Sequence, residues 1–165
     1  MKRLYAAALS LFLAAMLTGC TAPTEPAYDP ETFSCVLTVD SVRTGEEDYF
    51  TLRYRRENGS ASMTVTAPET LAGITFTGAG DAWVMTVEQS AIPLSEAVSA
   101  DLQEMAALLS SVPAEAESCR ETEVGTVFCF LVGELTLDVN GLPVMLCTTD
   151  GRHAGITAAA DIPEA

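Results

Sequence analysis

Apolar and polar side chains alternate along several runs of this chain, and this pattern is the strongest constraint on its fold. Every second residue from Phe33 to Val39 is apolar, and a similar run begins at Phe50. A third run follows Asn58-Gly59, a dipeptide favoured in tight hairpin turns. Because successive side chains of a strand point to opposite faces, this period of two predicts strands with one buried and one solvated face. Such strands are typical of an antiparallel sheet.

Turn-forming residues divide the rest of the chain into further short strands. Residues 78–81 and Asp150-Gly151 have the composition of turns, and Asn140-Gly141 repeats the hairpin signal. The segments between these turns predict strands at Leu71–Thr77, Ala82–Glu88, Cys119–Glu123, Thr126–Val132, Glu134–Val139, Leu142–Thr149 and Gly155–Ala160.

One segment departs from the period of two. After Pro93, apolar residues recur at helical spacing and form a single stripe. Pro93 and Ser95 are typical of a helix start, and Pro113 cannot continue a helix. We therefore predict a helix over about 94–111. Together with the strands, it predicts an α+β fold in which a curved, half-barrel-like antiparallel sheet packs on one main helix.

The N-terminus has the three parts of an export signal. Lys2 and Arg3 are basic, an almost entirely apolar run follows, and small residues end it. The apolar run is shorter than the ~20 residues that span a bilayer. Leu-Thr-Gly-Cys at residues 17–20 resembles the lipobox of bacterial lipoproteins. The resemblance implies a 1–19 signal peptide and attachment of a lipid such as palmitate to Cys20, whereas an ordinary secreted protein with a chance cysteine is the alternative.

A proline-containing segment follows the cysteine. Prolines among small polar residues keep a chain extended and disfavour packing. We therefore predict a flexible tether at 20–31, followed by a single domain at 32–162. Acylation with two or more chains makes membrane anchoring stable. The expected location is the extracytoplasmic face of the cell membrane, with the membrane itself as a partner through the lipid on Cys20.

The chain is strongly acidic, with a formal net charge of −15. Because phosphate binding depends on lysine and arginine, this charge argues against a nucleic-acid partner. It also argues against docking on anionic lipid headgroups. A cationic partner would fit, but a soluble acidic surface that resists association is the simpler interpretation.

Four further cysteines lie in the predicted domain. In an exported domain they permit two disulfides in three pairings, although several sit in apolar runs where they would serve as small core residues. The cysteines are Cys35, Cys119, Cys129 and Cys147.

We find no motif for catalysis, metal binding or a cofactor. His153 is the single histidine, and no serine stands in a Gly-x-Ser-x-Gly turn. The cysteine and histidine spacings do not match a zinc site. Arg53, Arg55 and Arg56 form the one basic cluster, which could contact an anion but would more simply pair with the excess of acids. The sequence therefore predicts a protein that is not an enzyme and needs no cofactor.

Two segments suggest a family resemblance. Residues 67–76 read Ala-Pro-x-x-Leu-x-Gly-Ile-x-Phe after a hairpin, and residues 135–143 combine a strand, a turn and Gly-Leu-Pro. With the lipobox, they resemble LolA/LolB-like envelope lipoproteins, and most of all the uncharacterised members in Gram-positive bacteria. The resemblance implies a sheet folded around a helix with a hydrophobic cavity. Its lining would include Phe50, Leu52, Tyr54, Met63, Val65, Phe76, Met85, Met105, Phe128, Phe130, Leu137 and Leu146.

Two functions follow from these expectations. In the first, the cavity between sheet and helix binds a lipid or another hydrophobic ligand. In the second, the protein is a non-enzymatic structural or interaction lipoprotein that binds another envelope protein. An empty apolar cavity would favour the first function, and a filled core with an exposed apolar patch would favour the second.

Overall fold

The structure is a computed structural model that describes residues 25–41 and 48–158. The predicted signal peptide at 1–19, the predicted lipidation site Cys20 and the last residues of the predicted domain lie outside the described residues. No helix in the described part of the chain is both long and apolar enough to cross a membrane.

The described residues form strands, one α-helix and two short 3-10 turns. The 3-10 turns are Glu69–Leu71 and Pro113–Glu115. The other elements are β1 (Ser34–Ser41), β2 (Asp48–Glu57), β3 (Ser60–Ala67), β4 (Thr75–Ala79), β5 (Ala82–Val87), β6 (Ser90–Pro93), α1 (Glu96–Ser110), β7 (Ser118–Glu121), β8 (Thr126–Phe130), β9 (Gly133–Leu137), β10 (Pro143–Thr148) and β11 (His153–Ala158).

Two meanders join into one antiparallel sheet. Among the described residues, the strand order is β6-β5-β4-β3-β2-β1-β11-β10-β9-β8-β7. The meanders meet where β1 pairs with β11, so that Leu37 lies opposite Ile156. The outer strands β6 and β7 do not pair with each other, and the sheet is therefore open. The predicted α+β class, an antiparallel sheet packed on one main helix, is confirmed.

Helix α1 crosses one face of this sheet because it connects the two edge strands. It contacts β9 and β10 on one half of the sheet and β5 on the other. The helical stripe found in the sequence is the face that packs on the sheet, and its buried members include Leu102, Met105, Leu108 and Leu109. The core therefore lies between the helix and the sheet.

The helix is shorter than the predicted 94–111. Ser95 is its N-cap in an extended conformation, and Pro93 ends β6 and does not start the helix. Strand β6 was not among the predicted strands, because all four of its residues are exposed. A strand without a buried face has no alternation to detect, and proline is tolerated at a sheet edge.

The hairpin predicted at Asn58-Gly59 is confirmed. Both residues have positive φ, 53° and 75°, as a type I′ turn requires. Glu57 and Ser60 pair on either side of them. The second signal, at Asn140-Gly141, lies in a longer connection, because the flanking pair is Leu137 with Pro143.

The strand predicted at Leu71–Thr77 begins later in the structure. Leu71 closes a 3-10 turn, and β4 runs from Thr75 to Ala79. Gly78 was predicted as part of a turn, but it pairs with Trp83 of β5. The composition of residues 78–81 predicted a turn. In the structure, Gly78 belongs to a strand because it lies opposite the large aromatic side chain of Trp83.

The segment before β1 lies against the domain. The Ala27 N–H donates to the Gly141 carbonyl at 3.0 Å. The Tyr28 ring packs on Phe33, with centroids 4.4 Å apart. Ala27 and Tyr28, in the segment for which a tether is predicted, therefore contact the folded domain.

Candidate functional site

Of the twelve residues predicted to line a cavity, all but Phe50 and Met85 pack in or against the hydrophobic core. Eight of them are buried and four are half-buried. Apart from Leu146, they do not line the two clefts described below. The buried group is Leu52, Tyr54, Met63, Val65, Met105, Phe128, Leu137 and Leu146; the half-buried group is Phe50, Phe76, Met85 and Phe130.

A cleft of about 360 Å³ opens where the C-terminal half of α1 lies over β2 to β5. One wall comes from the sheet and the other from the helix, and both are built largely from small side chains. The cleft is lined by Arg56, Gly59, Ala61, Gly78, Gly80 and Trp83 from the sheet side, and by Gln103, Ala106, Ala107, Ser110, Ser111 and Glu115 from the helix side. We call it the helix–sheet cleft.

Trp83 is the aromatic residue among those that line the helix–sheet cleft. It is 4% exposed, and its ring lies directly over Gly78, its cross-strand neighbour. A Cβ atom at position 78 would overlap the ring carbons. The absence of a side chain at Gly78 therefore sets the position of the indole.

This contact gives a testable expectation. Gly78→Ala should lower the free energy of unfolding by about 1–3 kcal/mol, because overpacking forces the ring or the strand to move. Urea unfolding measures the change. In a Trp83→Leu background the same substitution should cost much less, and an equal cost in both backgrounds would contradict the assigned contact.

Arg56 brings a cation into the helix–sheet cleft. It follows Leu52 and Tyr54 at the same strand parity and therefore shares their inward face. Its side chain is 20% exposed, against 65% for Arg55 on the opposite face. Nη1 donates to Ser110 Oγ at 2.7 Å, and Ser110 Oγ in turn donates to the Ala106 carbonyl.

Further polar groups lie near this guanidinium. The Tyr54 hydroxyl is buried beside Ser110 and Arg56 but makes no well-formed hydrogen bond with either. Burial raises the pKa of Tyr54, and Ser110 and Arg56 partly offset that rise. Trp83 Nε1 is also buried without a hydrogen-bond partner. The interior next to the cleft thus contains donors that the protein itself does not satisfy.

A turn in the N-terminal segment places a carboxylate beside Arg56. Asp29 accepts hydrogen bonds from the Glu31 N–H at 3.0 Å and from Thr32 Oγ1 at 2.9 Å. This turn positions Glu31, whose Oε2 lies 3.6 Å from Arg56 Nε. The Glu31 side chain is 67% exposed.

The sequence predicted Arg53, Arg55 and Arg56 as one basic cluster. It did not predict that the Arg56 side chain lies on the inward face of the strand. Arg53 and Arg55 are exposed, as the alternation predicts. Leu52 and Tyr54 are alternate residues on the buried face of β2, and Arg56 is the next residue in this alternation. A cation at an inward position of an alternating strand is the signal that was available.

A second cleft of about 240 Å³ lies on the other half of the sheet. Cys129, Glu134, Cys147 and His153 are successive cross-strand neighbours there. Glu134 is held by a bidentate ion pair with Arg120, at 2.8 Å for each bond.

The chemistry of this second cleft is limited. Cys147 Sγ lies 3.8 Å from His153 Nε2. Burial and the nearby Glu134 and Asp150 raise the pKa of Cys147, so the thiol stays protonated and is a poor nucleophile. No set of three or more potential metal ligands comes together within the described ranges.

The sequence left open whether Cys35, Cys119, Cys129 and Cys147 form disulfides with one another or serve as core residues. Cys35, Cys129 and Cys147 carry free thiols, so none of the three possible pairings exists. Cys35 is fully buried in the core. The alternative interpretation, a small core residue, applies to it.

Comparisons with known proteins give one structural neighbour. No family model and no curated protein matches this chain. A LolA superfamily protein from Nitrosomonas europaea is similar at 11% identity, over 76% of this chain and 68% of that one, with a TM-score of 0.39. This similarity is too loose to carry residue roles or a function, so the chemistry of the cleft rests on its own residues.

Proposed function

We propose that this protein is a membrane-anchored envelope lipoprotein that binds a small amphipathic ligand in the helix–sheet cleft. The observation that carries the proposal is the combination, in one cleft, of the Trp83 ring and the inward Arg56 guanidinium. Ligand sites typically combine an apolar lining with a few positioned polar groups, in volumes of about 300–1,000 Å³. The helix–sheet cleft, at about 360 Å³, lies within this range.

The helix wall supports this proposal. Ala106, Ala107, Ser110 and Ser111 present short side chains to the cleft, in contrast to the leucines that the same helix packs into the core. Short side chains leave room between a helix and a sheet that longer ones would fill. The short side chains at this end of α1 therefore account for the space between the helix and the sheet.

The position of the cleft suits a ligand presented at a membrane. Glu31 lies next to Arg56 and follows the proposed lipidation site Cys20 by eleven residues. A fully extended chain spans at most ~3.6 Å per residue, so the cleft would stay within about 40 Å of the lipid anchor. This is within reach of molecules that leave the bilayer surface.

Native mass spectrometry tests the proposal. The form to use begins at residue 21 and contains every described element of the fold. We expect a retained lipid adduct, or one that titrates with added dodecanoate or dodecanol. A clean apo mass under all these conditions would contradict ligand binding. It would favour the interaction function instead, with which the filled core is already consistent.

A helix substitution locates the binding site. Ala107→Phe fills the helix–sheet cleft and should abolish the adduct, because the ring occupies the space next to Trp83. Ala100→Phe is the matched control, since Ala100 is exposed on the same helix and does not line the cleft. Equal adduct levels in the two variants would place any bound ligand elsewhere.

A further inference from the structure

The Arg56 guanidinium has N–H donors that form no hydrogen bond. Nη1 binds Ser110 Oγ, while Nε is buried and makes no hydrogen bond. In the part of the chain that the structure describes, no hydrogen bond is made by Nη2 either. A guanidinium offers five N–H donors in a fixed planar arrangement. Arg56, which lines the cleft, therefore has N–H donors that the described residues do not satisfy.

Arg56 also differs from the other ion-paired arginines of the described residues. The carboxylate partners of Arg55, Arg120 and Arg152 lie at 2.6–2.9 Å. Glu31 approaches Arg56 no closer than 3.6 Å, and that contact is an ion pair without a hydrogen bond. The most buried of these guanidinium groups thus has the loosest carboxylate partner.

We infer that the ligand carries an anionic group, a carboxylate or a phosphate, that binds the Arg56 guanidinium in place of Glu31. This inference rests on the proposed function and names the chemistry of the ligand's polar end. Arginine binds both groups through paired N–H···O bonds. The apolar part of the ligand would then lie along Trp83 and the alanines of α1.

Because the charges around the cleft are mostly negative, only the short-range contact with Arg56 attracts an anionic ligand. Glu115 lines the cleft, Glu31 lies beside Arg56, and Asp81 accepts a hydrogen bond from Gln103. These carboxylates and the net charge of −15 repel an anion at long range. An anionic ligand is therefore held by the contact with Arg56 itself, and Glu31 is its direct competitor for that contact.

The test uses two substitutions with opposite expected effects in the form that begins at residue 21. Arg56→Gln should weaken dodecanoate binding by about tenfold to a hundredfold, the usual effect of losing a hydrogen bond to a charged group. Glu31→Gln should strengthen it several-fold, because the competing carboxylate is removed. Binding of the neutral dodecanol should change little in either variant.

Matched controls and additional ligands complete the design. Arg55→Gln removes an equal charge from the opposite face, and Glu25→Gln removes an equal charge from the same N-terminal segment. Neither should change dodecanoate affinity by more than about twofold. Dodecyl phosphate tests the phosphate headgroup, and inorganic phosphate tests whether an anion without an apolar chain is sufficient.

The outcomes separate this inference from the proposed function. If neither dodecanol nor dodecanoate binds, the proposed function fails. If both bind with equal affinity and the Glu31→Gln variant matches the unaltered protein, the cleft binds ligands but the anion inference is wrong. The Glu31→Gln result stands even where Arg56→Gln fails to fold, because Glu31 is an exposed residue.

Discussion

Gly133→Ala is expected to lower the free energy of unfolding by about 4 kcal/mol, the sum of a strained backbone and a steric overlap. Gly133 starts β9 with φ at +134°, a conformation that residues with a side chain rarely adopt. A Cβ atom there would overlap the backbone carbonyl of Cys147 on β10. A backbone atom cannot rotate away as a side chain can, so the strand pairing itself must shift.

Gly155→Ala is the matched control for this prediction. Gly155 lies in β11 of the same sheet, and a Cβ atom there would have nothing within 4 Å. We expect its free energy of unfolding to change by less than about 1 kcal/mol. Equal losses in the two variants would show that the sheet is sensitive to any glycine replacement and would contradict the specific overlap at Gly133.

The sheet could be predicted from the sequence because its central strands are buried on one face only. Burial alternates along β3, and the residue pattern that predicted this strand is the same alternation. The Asn58-Gly59 turn fixed the register of the β2–β3 hairpin by its own backbone chemistry. The alternation in the sequence and the burial in the folded sheet agree for these strands, so the sequence pattern was enough to predict them.

The helix–sheet cleft could not be predicted in the same way. Alternating apolar residues give the same sequence pattern whether they fill a core or line a cavity, and ten of the twelve residues predicted to line a cavity pack in or against the core. The cleft is bordered by short side chains, such as Ala61 on the sheet and Ala107 on the helix. Short side chains give no periodic signal, and their meaning depends on which elements meet in three dimensions.

High pH is expected to destabilise this protein strongly, because the buried thiol of Cys35 and the hydroxyls of Tyr28 and Tyr54 ionise less readily in the folded state. Burial raises the pKa of Cys35 from 9.0 to about 12, and it also raises the pKa values of Tyr28 and Tyr54. The folded state therefore favours the protonated thiol. Its contribution is fully present below pH 9.0 and is lost as the pH rises toward about 12.

The size of this effect follows from the linkage between ionisation and folding. A tenfold change in an acid dissociation constant on folding corresponds to about 1.4 kcal/mol of stability. Between pH 9.0 and about 12, ionisation of the Cys35 thiol therefore lowers the free energy of unfolding by up to about 4 kcal/mol. Small domains are stable by only about 5–15 kcal/mol. We therefore expect a steep fall in the urea midpoint above pH 9.0, measured with a reductant present.

Two core variants separate the thiol from the packing around it. Cys35→Ala removes the ionising group, so its free energy of unfolding should fall less steeply with pH than that of the unaltered protein. Leu37→Ala, two residues along the same buried face, should be less stable at every pH but keep the original slope, because it retains the thiol. Parallel pH curves for Cys35→Ala and the unaltered protein would show that the thiol is not the group responsible, leaving Tyr28 and Tyr54 as the ionising groups to replace next.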